Sequence, residues 1–159
     1  MAASNPAYID GLKLLARREL SSAQVRQRLL RRHAADLVDE AIARLSDEKA
    51  IDDTRVAEAI ARTQTSVRGR GRQRVRMEIE RAGIDKSTAR RVVEEVFTGM
   101  DDDALLEAAL SKLSRRSRSA DAVTDDRQRA RLYRRLVAEG FDADRVLASL
   151  KRHKRGEDQ

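Results

Sequence analysis

The residues of this chain with the greatest chemical capacity are its arginines. Between Glu58 and Glu78 there is no acidic residue, but there are Arg62, Arg68, Arg70, Arg72, Arg74 and Arg76. Between Asp126 and Glu139 the pattern returns with Arg127, Arg129, Arg131, Arg134 and Arg135, and the end of the chain adds Lys151, Arg152, Lys154 and Arg155. A guanidinium is permanently charged, and its planar fork of donors matches a phosphate or a carboxylate. Blocks of such groups without intervening acids point to a polyanionic partner, either a nucleic-acid backbone or an acidic protein surface. Gly69 and Gly71 alternate with Arg68, Arg70 and Arg72, so the backbone there can approach such a partner closely. The N-terminus of the helix that follows adds a dipole favourable to anions.

Catalytic chemistry is poorly represented. The chain has two histidines, His33 and His153, and no cysteine, which excludes disulfides and cysteine-based metal sites. His33 ends a predicted helix, where a cation suits the dipole. Gly69-Arg70-Gly71-Arg72 lacks the Lys-Ser/Thr ending of a phosphate-binding loop and follows no strand. Asp101-Asp102-Asp103 and Asp52-Asp53 stand at helix starts and are expected to cap helices, since a calcium loop needs further spaced ligands and a glycine. No catalytic residue, metal site or cofactor is expected, and binding is favoured over catalysis.

The elements that position the arginines follow from composition and periodicity. The 159 residues include 34 Lys and Arg against 27 Asp and Glu, a net charge of +7, with 3% aromatic residues, one proline and seven glycines. That composition favours helix throughout. No apolar run has transmembrane length, so no membrane contact and a cytoplasmic location are expected. Val25 and Leu29 recur 50 residues later as Val75 and Ile79, and 57 residues beyond those as Leu132 and Leu136. Val38, Ile42 and Leu45 likewise correspond to Ala89, Val93 and Val96, and Ala89 and Val93 to Val146 and Leu150. These i, i+4, i+7 sets are apolar stripes of helices.

The resulting expectation is an all-α fold, an elongated array of three tandem three-helix repeats: residues 1–50, 51–99 and 100–159, the last with a basic C-terminal tail. Helices are predicted over 7–18, 22–33, 36–48, 53–65, 71–82, 86–97, 102–115, 125–139 and 143–155. Ser21-x-x-Gln24 is a capping-box pattern. Asp53, Asp85, Asp102, Thr124 and Asp142 occupy expected N-cap positions, and Gly83 and Gly140 expected left-handed C-terminal positions. The stretch 114–124 reads as a linker.

At 100° per residue, the face opposite Val75, Ile79 and Ala82 presents Arg70, Arg74, Met77 and Arg81. The face opposite Leu132 and Leu136 presents Arg127, Arg131 and Arg134, whereas the first repeat places Gln24, Gln27 and Arg31 there. The expected contact residues are Arg68, Arg70, Arg72, Arg74, Arg76, Arg81, Arg127, Arg131, Arg134, Lys151 and Arg152. Reversing Arg70 and Arg74 to glutamate is expected to leave melting nearly unchanged, as exposed substitutions do.

Leu15-Ala16-Arg17-Arg18-Glu19-Leu20-Ser21, followed by Val25 and Leu29, resembles the N-terminal signature of the regulatory protein RecX family. Ala50-Ile51-Asp52-Asp53-Thr54-Arg55-Val56-Ala57, then Arg62, Gly69 to Val75 and Gly83-Ile84, is similar to that family's central signature. The resemblance covers residues 8–98 well and the third repeat more loosely. It departs from the family at Val56, where an aromatic is frequent, and in lacking an aromatic after Ile60. The resemblance implies a helical-repeat protein that binds the RecA recombinase and its filament on single-stranded DNA. It further implies inhibition of RecA's ATPase, strand-exchange and coprotease activities in recombination and the SOS response. A monomer with weak, sequence-independent affinity for DNA is expected. The alternative is a stand-alone DNA-binding protein of helix-turn-helix type. Against it, no dimerisation element is evident, and the outer faces of the second and third repeats carry arginine without the Asn and Gln that read bases.

Overall fold

The computed structural model describes residues 5–116 and 126–157, with side chains up to His153. Most of the expected linker 114–124, the expected cap Thr124, and the side chains of Lys154 and Arg155 lie outside the described residues. The described residues are all-α: α1 (Pro6–Leu15), α2 (Ser22–Leu29), α3 (Ala35–Asp47), α4 (Asp53–Arg62), α5 (Arg72–Arg81), α6 (Lys86–Phe97), α7 (Asp102–Arg116), α8 (Asp126–Ala138) and α9 (Ala143–Glu157). The chain divides into two compact units, residues 1–60 with 78–92 and residues 61–77 with 93–159. The helices of the middle repeat are therefore shared between the two.

In the first unit, α1–α3 enclose a core of Tyr8, Leu20, Val25, Leu29, Val38 and Leu45. Asn5 starts α1 by accepting from the Ala7 N–H (2.9 Å), and its amide donates to the Leu37 carbonyl (2.9 Å). Gly11 permits the close approach of α1 and α3, since a Cβ there would lie 2.7 Å from Leu45 Cδ1. The Tyr8 hydroxyl donates to Glu48 (2.6 Å), and the Arg44 guanidinium lies over the Tyr8 ring (3.8 Å). The hydrogen bonds from Tyr8 and then Arg44 hold the Glu48 carboxyl below its ordinary value.

The capping box at Ser21 forms in both directions, each bond 3.2 Å. The same turn makes a junction within this unit. Ser21 Oγ donates to the Ala82 carbonyl, and Asp53 accepts from Ser22 N–H (2.8 Å) and Oγ (2.7 Å). A side chain on Gly83 would collide with the Ala23 Cβ. Asp53, an expected cap, is thus the first helical residue of α4 and a tether to α2. Its neighbour Asp52 caps instead, accepting from the Arg55 N–H (3.0 Å).

The second unit repeats this junction 50 to 57 residues later. The Gly71 N–H donates to the Glu139 carbonyl (2.9 Å) and the Gln73 N–H to the Gly140 carbonyl (3.2 Å). Gly140, at φ +96°, leaves no room for a side chain, because a Cβ would lie 2.3 Å from Arg74 N. Asp101 caps α7, accepting from the Asp103 (2.9 Å) and Ala104 (3.1 Å) N–H groups. Asp102, the expected cap, reaches Arg72 Nε instead (3.0 Å). In each repeat junction the first aspartate of a pair caps its own helix and the second ties that helix to the start of an earlier one. The core of the unit is Leu106, Leu110, Leu132, Leu136, Phe141 and Val146.

The first two helices end earlier than expected, α1 at Leu15 and α2 at Leu29 rather than at 18 and 33, so that His33 lies beyond α2, and one element departs in kind. The helix predicted over 53–65 is α-helical to Arg62 and then widens into a π-helical turn, Thr63–Val67. Thr65 Oγ1 donates to the Ala61 carbonyl (2.9 Å), and this bond from a hydroxyl to the helix backbone competes with α-helical pairing. The Arg68 and Arg70 N–H groups close the turn on Thr63 (3.3 Å) and Gln64 (2.9 Å).

Candidate polyanion-contact site

The arginine blocks meet in the second unit, where the π-turn, α7, α8 and α9 each supply cations. The π-turn leaves Val67 74% exposed and Arg68 exposed beside it, and Gly69 takes the left-handed conformation (φ +63°) that reverses the chain. A hollow of about 470 Å³ opens here, with Arg68 and Arg70 on one side and Lys112, Arg116 and Arg135 on the other. Lys112 and Arg116 stand one helical turn apart on α7, so both reach the same rim. Among the described residues, Arg68, Lys112 and Arg116 have no carboxylate partner.

Arg70 behaves differently from its expected outward projection. It precedes α5 and therefore does not follow the angular rule of that helix. Its side chain is 23% exposed and forms an ion pair with Glu139, itself 16% exposed and also bound by Arg135 (3.2 Å). Arg72 is likewise engaged internally: it binds Asp102 (3.0 Å) and Glu94 (3.1 Å), and its guanidinium lies 4.8 Å from the Phe97 ring centre. Arg74 and Arg76 are half-buried, and Arg76 Nε is shielded from solvent. Arg81 is exposed and pairs with Glu78 (3.0 Å), and Met77 is exposed as expected.

On α8 the expectation of an outward basic face agrees with the structure. Leu132 and Leu136 are buried, and Arg127, Arg131 and Arg134 are exposed on the opposite side. Arg134 also rims a second hollow, of about 590 Å³, with Arg129, Tyr133, Leu147 and Lys151. Leu147 is 44% exposed, so this hollow joins an apolar floor to a cationic edge. Lys151 is exposed there, while Arg152 turns to Glu107 (3.2 Å) beside His153 (3.3 Å).

The structure thus brings together Arg68 with Arg70, and Arg134 with Lys151. It adds Lys112, Arg116, Arg129, Arg135 and Tyr133, which sequence reasoning did not select. The i, i+4 spacing of Lys112 and Arg116 was the available signal for the first two. Tyr133 offered none, since one aromatic on an arginine-rich helix reads equally as core. Among the described residues, no group of His, Cys, Asp and Glu gathers to hold a metal ion, and no helix is long and apolar enough to cross a membrane.

Comparisons with known proteins bear on what such a surface serves. Residues 7–45 match the family described as RecX, first three-helix domain, and residues 52–93 match RecX, second three-helix domain. The chain is 34% identical over 138 residues to the regulatory protein RecX of Chromohalobacter salexigens, covering 86% of each chain. It is 32% identical over 149 residues to that of Halorhodospira halophila, covering 93% of this chain and 88% of the relative. A crystal structure of RecX from Lactobacillus salivarius superposes with a TM-score of 0.70 at 19% identity, over 93% of this chain and 94% of the other.

Proposed function

The chain belongs to the RecX family of regulatory proteins, and from that premise we propose that it binds the RecA recombinase and its filament on single-stranded DNA and inhibits it. The observation that supports this reading is the exposed basic face of α8, Arg127, Arg131 and Arg134, continued by Lys151 on α9. A nucleoprotein filament offers a repeating polyanionic surface, and several moderate charge contacts along it raise avidity without one dominant site. The solvent-facing residues Arg68, Arg81, Arg127, Arg131, Arg134 and Lys151 make the direct contacts. Arg70, Arg72 and Arg152, held in ion pairs, and the half-buried Arg74 and Arg76 add to the field from behind. Inhibition follows from occlusion of incoming DNA or from a bias toward an inactive filament.

The deciding experiment titrates the protein into RecA hydrolysing ATP on single-stranded DNA. The expected result is loss of hydrolysis at protein concentrations well below that of DNA nucleotides. No effect on hydrolysis, together with tight and sequence-selective binding of duplex DNA, would overturn the reading in favour of a stand-alone DNA-binding protein.

A further inference from the structure

None of the contact residues proposed above falls within residues 1–50, yet that repeat holds its own concentration of cations. The chain leaves α1 through Arg17 and leaves α2 through a tight turn in which the Arg32 and His33 N–H groups both return to the Leu29 carbonyl (3.0 Å each). The two helix ends converge on a hollow of about 410 Å³, rimmed by Lys13, Arg17, Arg28, Arg31, Arg32 and His33. One carboxylate, Asp10, faces them. It is already bound by Lys13 (3.0 Å) and His33 Nε2 (2.9 Å), which, Lys13 first, hold its carboxyl below the ordinary value. Arg28 donates to the Gln24 carbonyl (3.0 Å). Among the described residues, Arg17, Arg31 and Arg32 have no carboxylate partner. Other arginines of the same repeat do: Arg26 pairs with Asp39, and Arg44 with Glu48 (2.9 Å).

Basic residues at a helix C-terminus are ordinary, because each terminus is equivalent to about half a negative charge. That accounts for only part of this group. Five permanent cations face one carboxylate and two helix C-termini, which leaves about three positive charges uncompensated around one concavity. Repulsion of this size, retained on a concave surface, is relieved by an anion that brings several acceptors to one point. Guanidinium forks suit phosphate oxygens in that role. The walls are helical and offer no strand edge along which an extended peptide could pair.

We propose that this hollow is a second anion site, and that it binds phosphate groups of a single-stranded nucleic-acid backbone through Arg17, Arg31 and Arg32, with Lys13 and Arg28 behind them. It is independent of the RecA reading, because it concerns the isolated protein and nucleic acid alone.

The test measures binding of the full chain to a fluorescein-labelled oligothymidylate across a salt series. Single strands lose log affinity against log salt with a slope of about 0.7 per phosphate neutralised. The variant Arg17→Gln/Arg31→Gln/Arg32→Gln is expected to reduce that slope by about 2, while Arg26→Gln/Arg44→Gln, which removes already paired charges, changes it little. The two histidines supply a local readout by NMR. Inorganic pyrophosphate, and then the oligonucleotide, should shift the His33 ring signals at the binding midpoint and leave those of His153 in place. A response to pyrophosphate without one to the oligonucleotide would mean a site for free phosphates and overturn the assignment to a strand. An unchanged slope in the triple variant, or unmoved His33 signals, would overturn it too. So would displacement of the oligonucleotide by polyglutamate at lower charge concentration than by pyrophosphate, which would make the hollow a peptide site.

Discussion

Arg70 is the residue for which the structure most changes the expected response to mutation. Reversal of Arg70 reads as harmless from the helical angle alone, but its side chain is 23% exposed and its carboxylate partner Glu139 16% exposed. Removing one member of a buried ion pair costs about 3–5 kcal/mol, because the other charge is left without compensation. Here Arg135 remains on Glu139 at 3.2 Å and softens that penalty. We expect Arg70→Gln to cost about 2 kcal/mol, which at this chain length lowers the melting temperature by about 4–8 °C. Arg70→Glu should cost more, by setting two carboxylates against each other. The assay is thermal melting followed by circular dichroism, with a double-mutant cycle over Arg70→Gln and Glu139→Gln. The expected coupling is about 1–2 kcal/mol. A melting temperature for Arg70→Gln within about 1 °C of the parent, or a coupling near zero, would refute the reasoning and return Arg70 to the free surface.

Three further outcomes are expected. Reversing Arg127, Arg131 and Arg134 to glutamate should abolish most inhibition of RecA ATP hydrolysis while each change alters stability by only about 0.5 kcal/mol; Glu at Gln24 and Gln27 is the control and should inhibit nearly as the parent does. Gly140→Ala should destabilise clearly more than Gly69→Ala: both have positive φ, but an added Cβ meets Arg74 N at 2.3 Å in the first case and open space in the second, so Gly69→Ala shows only the left-handed penalty of about 1–2 kcal/mol in melting experiments. The Asp85 carboxyl, which accepts from Ser87 Oγ (2.6 Å) and the Thr88 N–H (2.9 Å), is held well below the carboxylate range by those bonds. A depressed folded value means that its stabilisation is complete above the unfolded value of about 3.9 and fades as pH falls below it. Stability measured by denaturant against pH should accordingly lose part of its acid slope in Asp85→Asn.

Secondary structure and repeat were legible in the chain because both are local. The spacing of Val25 and Leu29, Val75 and Ile79, and Leu132 and Leu136 decides which side of each helix is buried, and all six are buried. Gly83 and Gly140 mark helix ends because a positive φ is open to few other residues. The outward face of α8 was legible for the same reason: once Leu132 and Leu136 point inward, Arg127, Arg131 and Arg134 must point out.

What the sequence left open are partners distant along the chain. A helical angle states a direction, not the group that waits there. Nothing near Arg70 names Glu139, which arrives because the Gly140 turn docks on the start of α5. Nothing near Asp53 or Asp102 shows that each would leave its cap position to its neighbour and hold Ser22 or Arg72 instead. Likewise the cations of the first repeat are scattered from Lys13 to His33, and only the convergence of two helix ends makes them one surface. Backbone propensity and burial act over a few residues and can be read in order. Electrostatic pairing acts through space, and tertiary packing alone decided which of these many charges became structure and which remained available to a partner.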